Sequence, residues 1–243
     1  MKNLHRKVYL WLLALRGQSS EKFHVHGVDV FVPKSVDFNL RYLFHRGRPY
    51  EEAEATLIRK YLSPGTPVIE LGGCLGVISA VIRNQIGPEP KHIVVEAIPE
   101  LAEIAKINAQ AGGGSVQSQL IQAAIDYSGG DTVTFALGKN PHVGHIASET
   151  ETGVTVPATT LAKIREQMPE GPFALVCDIE GAEIALIDTE SETMQDIDTF
   201  ILEVHPKVYP DGERTVDSLI EKIGTFGLKQ QQRIDNVICF VRS

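Results

Sequence analysis

A glycine-rich turn and several acidic strand ends are the parts of this 243-residue chain whose residue types and spacing could do chemistry. Val68-Ile69-Glu70-Leu71 is an apolar run interrupted by one carboxylate, and Gly72-Gly73-Cys74-Leu75-Gly76 then opens onto the apolar-periodic stretch from Val77 to Ile86. Strand, tight turn and helix N-terminus in that order make the usual seat of a nucleotide-like ligand in an α/β sheet. A dinucleotide loop needs glycines at its first, third and sixth positions. Counted from Gly72 these positions hold Gly72, Cys74 and Val77, so only the first is met. Glu70 at the strand end would repel a pyrophosphate but suits a cationic amino group. S-adenosylmethionine carries an ammonium and a sulfonium and lacks phosphate, so the loop favours a methyl donor over NAD. Gly72 and Gly73 are expected to let the backbone approach that donor, and Gly76 to start the helix close to the strand.

Further strand ends extend the pattern. Val94-Val95-Glu96-Ala97-Ile98-Pro99 brings Glu96 to the next edge, where a carboxylate can accept both ribose hydroxyls, with Ala97 and Ile98 beside it. Small residues in Ile121-Gln122-Ala123-Ala124-Ile125-Asp126 leave room for an adenine ring over Ala123 and Ala124. Leu175-Val176-Cys177-Asp178-Ile179-Glu180-Gly181-Ala182-Glu183 delivers Asp178 to the cleft near the transferable methyl. Glu180 and Glu183 are candidates to orient the acceptor, and Glu183 in a first helical turn also suits plain capping. In Leu202-Glu203-Val204-His205-Pro206, Glu203 and His205 share one side of an extended strand. His205 could take a hydroxyl proton near neutral pH, or simply buttress the loop. Asp178, Glu203 and His205 could alternatively hold a divalent metal, although no spacing demands one. His142 and His145 fall on a segment expected to be irregular, with no acid or cysteine at metal spacing.

The elements that position these residues alternate. Strands are predicted at Val68–Leu71, His92–Glu96, Val116–Ala123, Phe173–Asp178 and Thr199–Val204. Helices are predicted between them at Val77–Gln85, Glu100–Ala111, Thr160–Glu166 and Ala182–Ile187. Such alternation gives a mostly parallel sheet with right-handed crossovers. A helix at Arg214–Phe226 and two strands joined at Asp235-Asn236 end the chain in an antiparallel hairpin. Residues 1–48 read as a lead-in of one basic apolar helix and a β-hairpin around Gly27, and residues 49–243 as the α/β domain. Pro49 to Leu62 reads as that domain's first helix, and Ala111-Gly112-Gly113-Gly114-Ser115 as a flexible connector.

A hydrophobic content of 43% and a charged content of 22% are those of an ordinary globular chain. The formal charge of −8 argues against a large nucleic-acid footprint. Cys74, Cys177 and Cys239 form no metal-spaced pair and fit a reducing compartment. Lys2, Arg6 and Lys7 precede the apolar run Val8–Leu15, which is too short to span a bilayer. It reads as a helix on the domain surface, with peripheral membrane contact as the other reading. The location expected is cytoplasmic.

From about Tyr50 onward the chain resembles the FkbM-type family of class I, S-adenosylmethionine-dependent methyltransferases. The resemblance rests on Val68–Gly76, Val94–Pro99, Gln122–Asp126, Thr159-Thr160-Leu161, the Asp178–Glu183 block and Leu202–Pro206. It implies a seven-stranded Rossmann-like sheet and methylation of a hydroxyl on a sugar, polyketide or other small molecule. The chain departs from the family pattern at Glu70, Gly73 and Cys74 of the loop and at Ala162, and Glu70 keeps the charge of the aspartate it replaces. Gly73 and Cys74 replace an alanine and an asparagine whose amide could reach the donor's carboxylate, and Ala162 stands where an acid commonly follows Thr-Leu. Tyr50 and the lead-in are expected to close over the cleft, with Tyr50, Glu183 and Glu203 toward the acceptor. The rival readings are an RNA or protein methyltransferase on this fold, a non-catalytic donor-binding partner subunit, and an NAD enzyme. A homo-oligomer is open.

Overall fold

The computed structural model describes residues 2–111, 118–137, 144–146 and 153–243. The chain begins with α1 (Lys2–Leu15), the hairpin β1 (Lys22–Val25) and β2 (Val28–Phe31), then α2 (Phe38–His45) and α3 (Glu52–Tyr61). The alternating unit follows as β3 (Val68–Leu71), α4 (Val77–Ile86), β4 (His92–Glu96), α5 (Pro99–Ala111) and β5 (Ser118–Gln122). Next come β6 (Ala124–Ile125), β7 (Thr132–Leu137), β8 (Gly144–Ile146), β9 (Val154–Thr159) and α6 (Leu161–Arg165). The chain closes with β10 (Phe173–Cys177), α7 (Glu183–Thr189), β11 (Ile197–Glu203), α8 (Glu213–Thr225), β12 (Leu228–Ile234) and β13 (Val237–Arg242).

The seven-stranded sheet has the order β12-β13-β11-β10-β3-β4-β5, with β13 antiparallel to both of its neighbours, β12 and β11, and the remaining pairs parallel. Its central strands are buried throughout because helices cover both faces, which is why VIEL and FALVC read as continuous rather than alternating apolar runs. One core layer joins Ile69, Leu175, Phe200 and Phe240 to α6, α7 and α8. The opposite layer joins Val68, Val176 and Ile201 to α3 and α4, and takes in Val28, Val30, Val32 and Phe44 of the lead-in. The lead-in therefore shares a core with the sheet. Among the described residues no helix is long and apolar enough to cross a membrane.

Two features differ from the sequence expectation. Helix α2 lies where only lead-in was expected, capped by Asp37, whose carboxylate accepts from Asn39 N. The segment expected to be irregular instead forms a second sheet of order β6-β9-β7-β8, with His145 in β8. Its strand β9 is largely exposed and buries Val156 in a small cluster with Ala97 and Ala124, a weaker signal than a buried run. His142 and the Gly112–Ser115 connector lie outside the described residues.

Candidate active site

Glu70 takes its orientation from the strand pleat. Register pairs Val68 with His92 and Glu70 with Val94, so His92 is Glu70's diagonal neighbour on the same face. The Glu70 carboxylate accepts from Ser79 Oγ at 2.8 Å and meets His92 Nε2 at 2.9 Å. It is 1% exposed and does not line the main cavity. Glu70 is thus a buttress under the glycine turn, not the acid that meets a ligand's amine. Replacing it with Leu strands Ser79 Oγ and His92 Nε2 in the core, at about 1–3 kcal/mol for each unpaired group. Urea denaturation of Glu70→Leu should register that loss, and an unchanged midpoint would contradict the buttress role.

The turn itself is fastened to both neighbouring strands. Gly72 N and Gly73 N both donate to Val95 O, at 2.9 and 3.0 Å, and Asp178 N donates to Leu71 O at 2.9 Å. A Cβ on Gly73 would meet Val94 and Ala105, and one on Gly76 would meet Ala105 and Asn108, so neither position has room for a side chain. Cys74 adopts a left-handed φ of 45°, which exposes its N–H to the Glu96 side chain.

A cavity of about 550 Å³ opens above this turn, a size suited to a small-molecule site. One end is formed by Gly72, Cys74, Glu96, Ala97, Ile98, Ala123 and Ala124, which the structure brings together as the sequence suggested. Glu96 Oε2 accepts from Cys74 N at 2.7 Å and Oε1 from Ile98 N at 2.8 Å. Burial raises the Glu96 pKa, and these backbone donors work against that rise. A carboxylate has about four lone-pair sites, so about two stay available to a diol.

The other end is walled by Tyr50, Glu51, Asp178 and Glu180, and by Arg6, Asp37 and Asn39 of the lead-in. Those three lead-in residues were not foreseen. The basic character of the first helix was the only trace of them, because Arg6 gains its place through Asn39 Oδ1 at 2.8 Å. Tyr50 lies with its hydroxyl 3.6 Å from Cys74 Sγ. Burial pushes the Glu51 carboxyl up to about 8 against a hydrogen bond from Tyr50, with the charges of Asp178, Glu70 and Glu203 adding to the rise.

Three acids and His205 form a layered group at this end. His205 Nδ1–H donates to Glu183 Oε1 at 2.9 Å, and Nε2 lies 3.3 Å from Asp178 Oδ1 and 3.4 Å from Glu180 Oε2. Glu183 is fully buried and also accepts from Tyr209 OH at 2.9 Å and Gly181 N at 3.1 Å. Burial opposes its charge, but these donors prevail and hold its pKa below the usual value. Burial pulls the imidazole of His205 down, and Glu183, Asp178 and Glu180 outweigh it to bring His205 up to about 9. Asp178 is pushed up to about 8 by burial and by the charge of Glu203, with His205 acting against the shift. Protons in this group therefore belong to the Asp178–His205 pair and not to either residue alone.

Asp178 and Glu180 line the cavity, whereas Glu183, Glu203 and His205 do not. Glu183 accordingly stands behind His205, and His205 behind Asp178 and Glu180. Among the described residues, oxygen and nitrogen atoms suited to a metal converge in two sets, Asp178–Glu180–His205 and Glu54–Asp178–Glu203.

A family model described as the methyltransferase FkbM domain matches residues 72–231. No curated protein matches the chain. Among solved structures, a methyltransferase from Pyrococcus furiosus is 13% identical, with 100% of this chain and 98% of that one covered at a TM-score of 0.48. The precorrin-6y C5,15-methyltransferase of Geobacter metallireducens is 12% identical over 80% of this chain and 89% of that one, also at 0.48. Fibrillarin of Aeropyrum pernix, crystallised with natively bound S-adenosyl-L-methionine, is 12% identical over 78% and 74% at 0.46. With the family model spanning the glycine turn, Glu96, Asp178 and His205, the chain belongs to the FkbM family of S-adenosylmethionine-dependent methyltransferases.

Proposed function

We propose that this methyltransferase acts on a hydroxyl oxygen of a small polar molecule such as a sugar or another secondary metabolite. The observation that carries this reading is Asp178, a carboxylate on the wall of the cavity with a histidine–glutamate pair behind it. A hydroxyl must lose its proton as its oxygen is alkylated, and a carboxylate positioned by an imidazole is equipped to receive that proton. S-adenosylmethionine supplies an electrophilic methyl group on its sulfonium. Residues at the Glu96 end fit its sugar and base: a carboxylate with free lone pairs and a flat floor of small apolar residues. Since Glu70 is turned away, Glu51 and Asp178 are the acids available to its ammonium.

The acceptor end favours a neutral, hydrogen-bonding partner. Arg6, Asp37 and Asn39 offer donors and acceptors, while Glu51, Asp178 and Glu180 would repel a phosphate backbone. That charge pattern speaks for a polyhydroxylated small molecule over RNA. Transfer of labelled methyl to a panel of hydroxylated acceptors tests the reading. Asp178→Asn is expected to lower kcat by about 10²–10⁴ on any acceptor found. Methylation confined to nitrogen, or an Asp178→Asn enzyme with wild-type kcat, would refute it.

A further inference from the structure

Beneath the main cavity, and sharing Glu51, Gly72 and Asp178 with it, lies a second cavity of about 10 Å³. That is room for roughly one water-sized particle. Glu51, Glu54, Glu70 and Asp178 all contribute to its wall. Glu70 is satisfied by Ser79 and His92. Glu54 is different: it is 4% exposed, and among the described residues its carboxylate forms no hydrogen bond and no ion pair. Asp178 Oδ1 is buried without a hydrogen bond, and His205 Nε2 lies 3.3 Å from it. One oxygen each from Glu54, Asp178 and Glu203 lie within 4.8 Å of one another.

Burying carboxylates without counter-charge costs several kcal/mol per ion unless something positive joins them. No Lys or Arg forms an ion pair with these three among the described residues. We propose that one divalent cation of the hard, oxygen-preferring class binds at the edge of this inner pocket, held by Glu54 and Asp178 of its wall and by Glu203, which lies beside it. An all-carboxylate set suits calcium, magnesium or manganese over softer metals. Calcium–oxygen distances of about 2.3–2.6 Å put opposite ligands up to roughly 5 Å apart, and the three oxygens lie close enough together to share one such ion. His205 stands 3.3 Å from Asp178 and 3.4 Å from Glu180 and serves both as a counter-charge, which leaves Glu54 as the buried carboxylate of the proposed set with no cationic group against it among the described residues.

Asp178 belongs to both cavities, so an ion on it would present open coordination positions toward the acceptor end. There it would bind a hydroxyl oxygen and ease loss of its proton. That role rests on the hydroxyl-methylation reading, whereas ion binding does not.

Manganese titrated into the full chain and followed by electron paramagnetic resonance tests the site directly. The expected result is one bound ion per chain, displaced by calcium or magnesium. Glu54→Gln and Glu203→Gln keep side-chain shape and should each weaken binding by at least about tenfold, more than enough to resolve. Absence of stoichiometric binding would overturn the proposal, as would Glu54→Gln binding manganese like the wild type while it folds normally by circular dichroism. Manganese binding in an enzyme that methylates no hydroxyl would leave the cation site standing and remove the function proposed above.

Discussion

Glu96→Ala should lose donor affinity by about 10²–10⁴ while the protein stays folded. A hydrogen bond to a charged acceptor contributes about 1.5–3 kcal/mol, so two ribose hydroxyls on Glu96 give about 3–6 kcal/mol. Each 1.4 kcal/mol is roughly tenfold in affinity. The same carboxylate also accepts from Cys74 N and Ile98 N, so its removal frees the turn that carries Cys74. This second effect costs stability as well, about 1–3 kcal/mol for an unpaired buried donor. Glu96→Gln separates the two contributions. Its remaining carbonyl oxygen can still serve one backbone donor, so stability should recover more than donor affinity does. Calorimetric titration with S-adenosylhomocysteine reads the affinity, and thermal unfolding reads the rest. Undiminished affinity in Glu96→Ala would remove the ribose role outright.

How far the chain could be read without coordinates depended on whether a residue's partner was local. The β3–α4, β4–α5 and β10–α7 units were legible because a buried strand and the amphipathic helix after it are each visible within ten or so residues. The donor end was legible for the same reason, since Glu96 and the alanines of β5–β6 terminate strands whose order the alternation predicts. Glu70 was misread because its partners are remote. Nothing near it in sequence reveals that Ser79 and His92 share its side of the sheet. The acceptor end was hidden likewise, for it draws on α1 and α2, whose placement depends on contacts such as Arg6 with Asn39, 33 residues away. Glu183 showed as an acid in a first helical turn, and its bond to His205 spans 22 residues. The small second sheet went unseen because its strands are short and half-exposed, so neither period dominates.

Gly72→Ala should be the most damaging single-methyl change in the chain. A Cβ at this position would sit 1.8 Å from Asp178 O and 2.8 Å from Asp178 C, both backbone atoms that cannot rotate away. The residue also has φ of +91°, a conformation side chains seldom adopt. Relief would require parting β3 from β10 at the point where Asp178 N donates to Leu71 O. Gly87 supplies the comparison. Its φ is +88° but nothing lies within 4 Å of the added Cβ, so Gly87→Ala carries backbone strain alone. With ψ of −177° Gly87 lies in a region essentially restricted to glycine, and that strain is about 1–3 kcal/mol. Overpacking adds about 1–3 kcal/mol or more in a core that cannot give, bringing Gly72→Ala to at least about 3 kcal/mol. Urea denaturation of the two variants side by side should show the gap. Because the clash lands on Asp178, whatever Gly72→Ala protein folds should also lose kcat beyond its loss of stability, and a Gly72→Ala enzyme with wild-type turnover would mean that this turn does not set the position of Asp178.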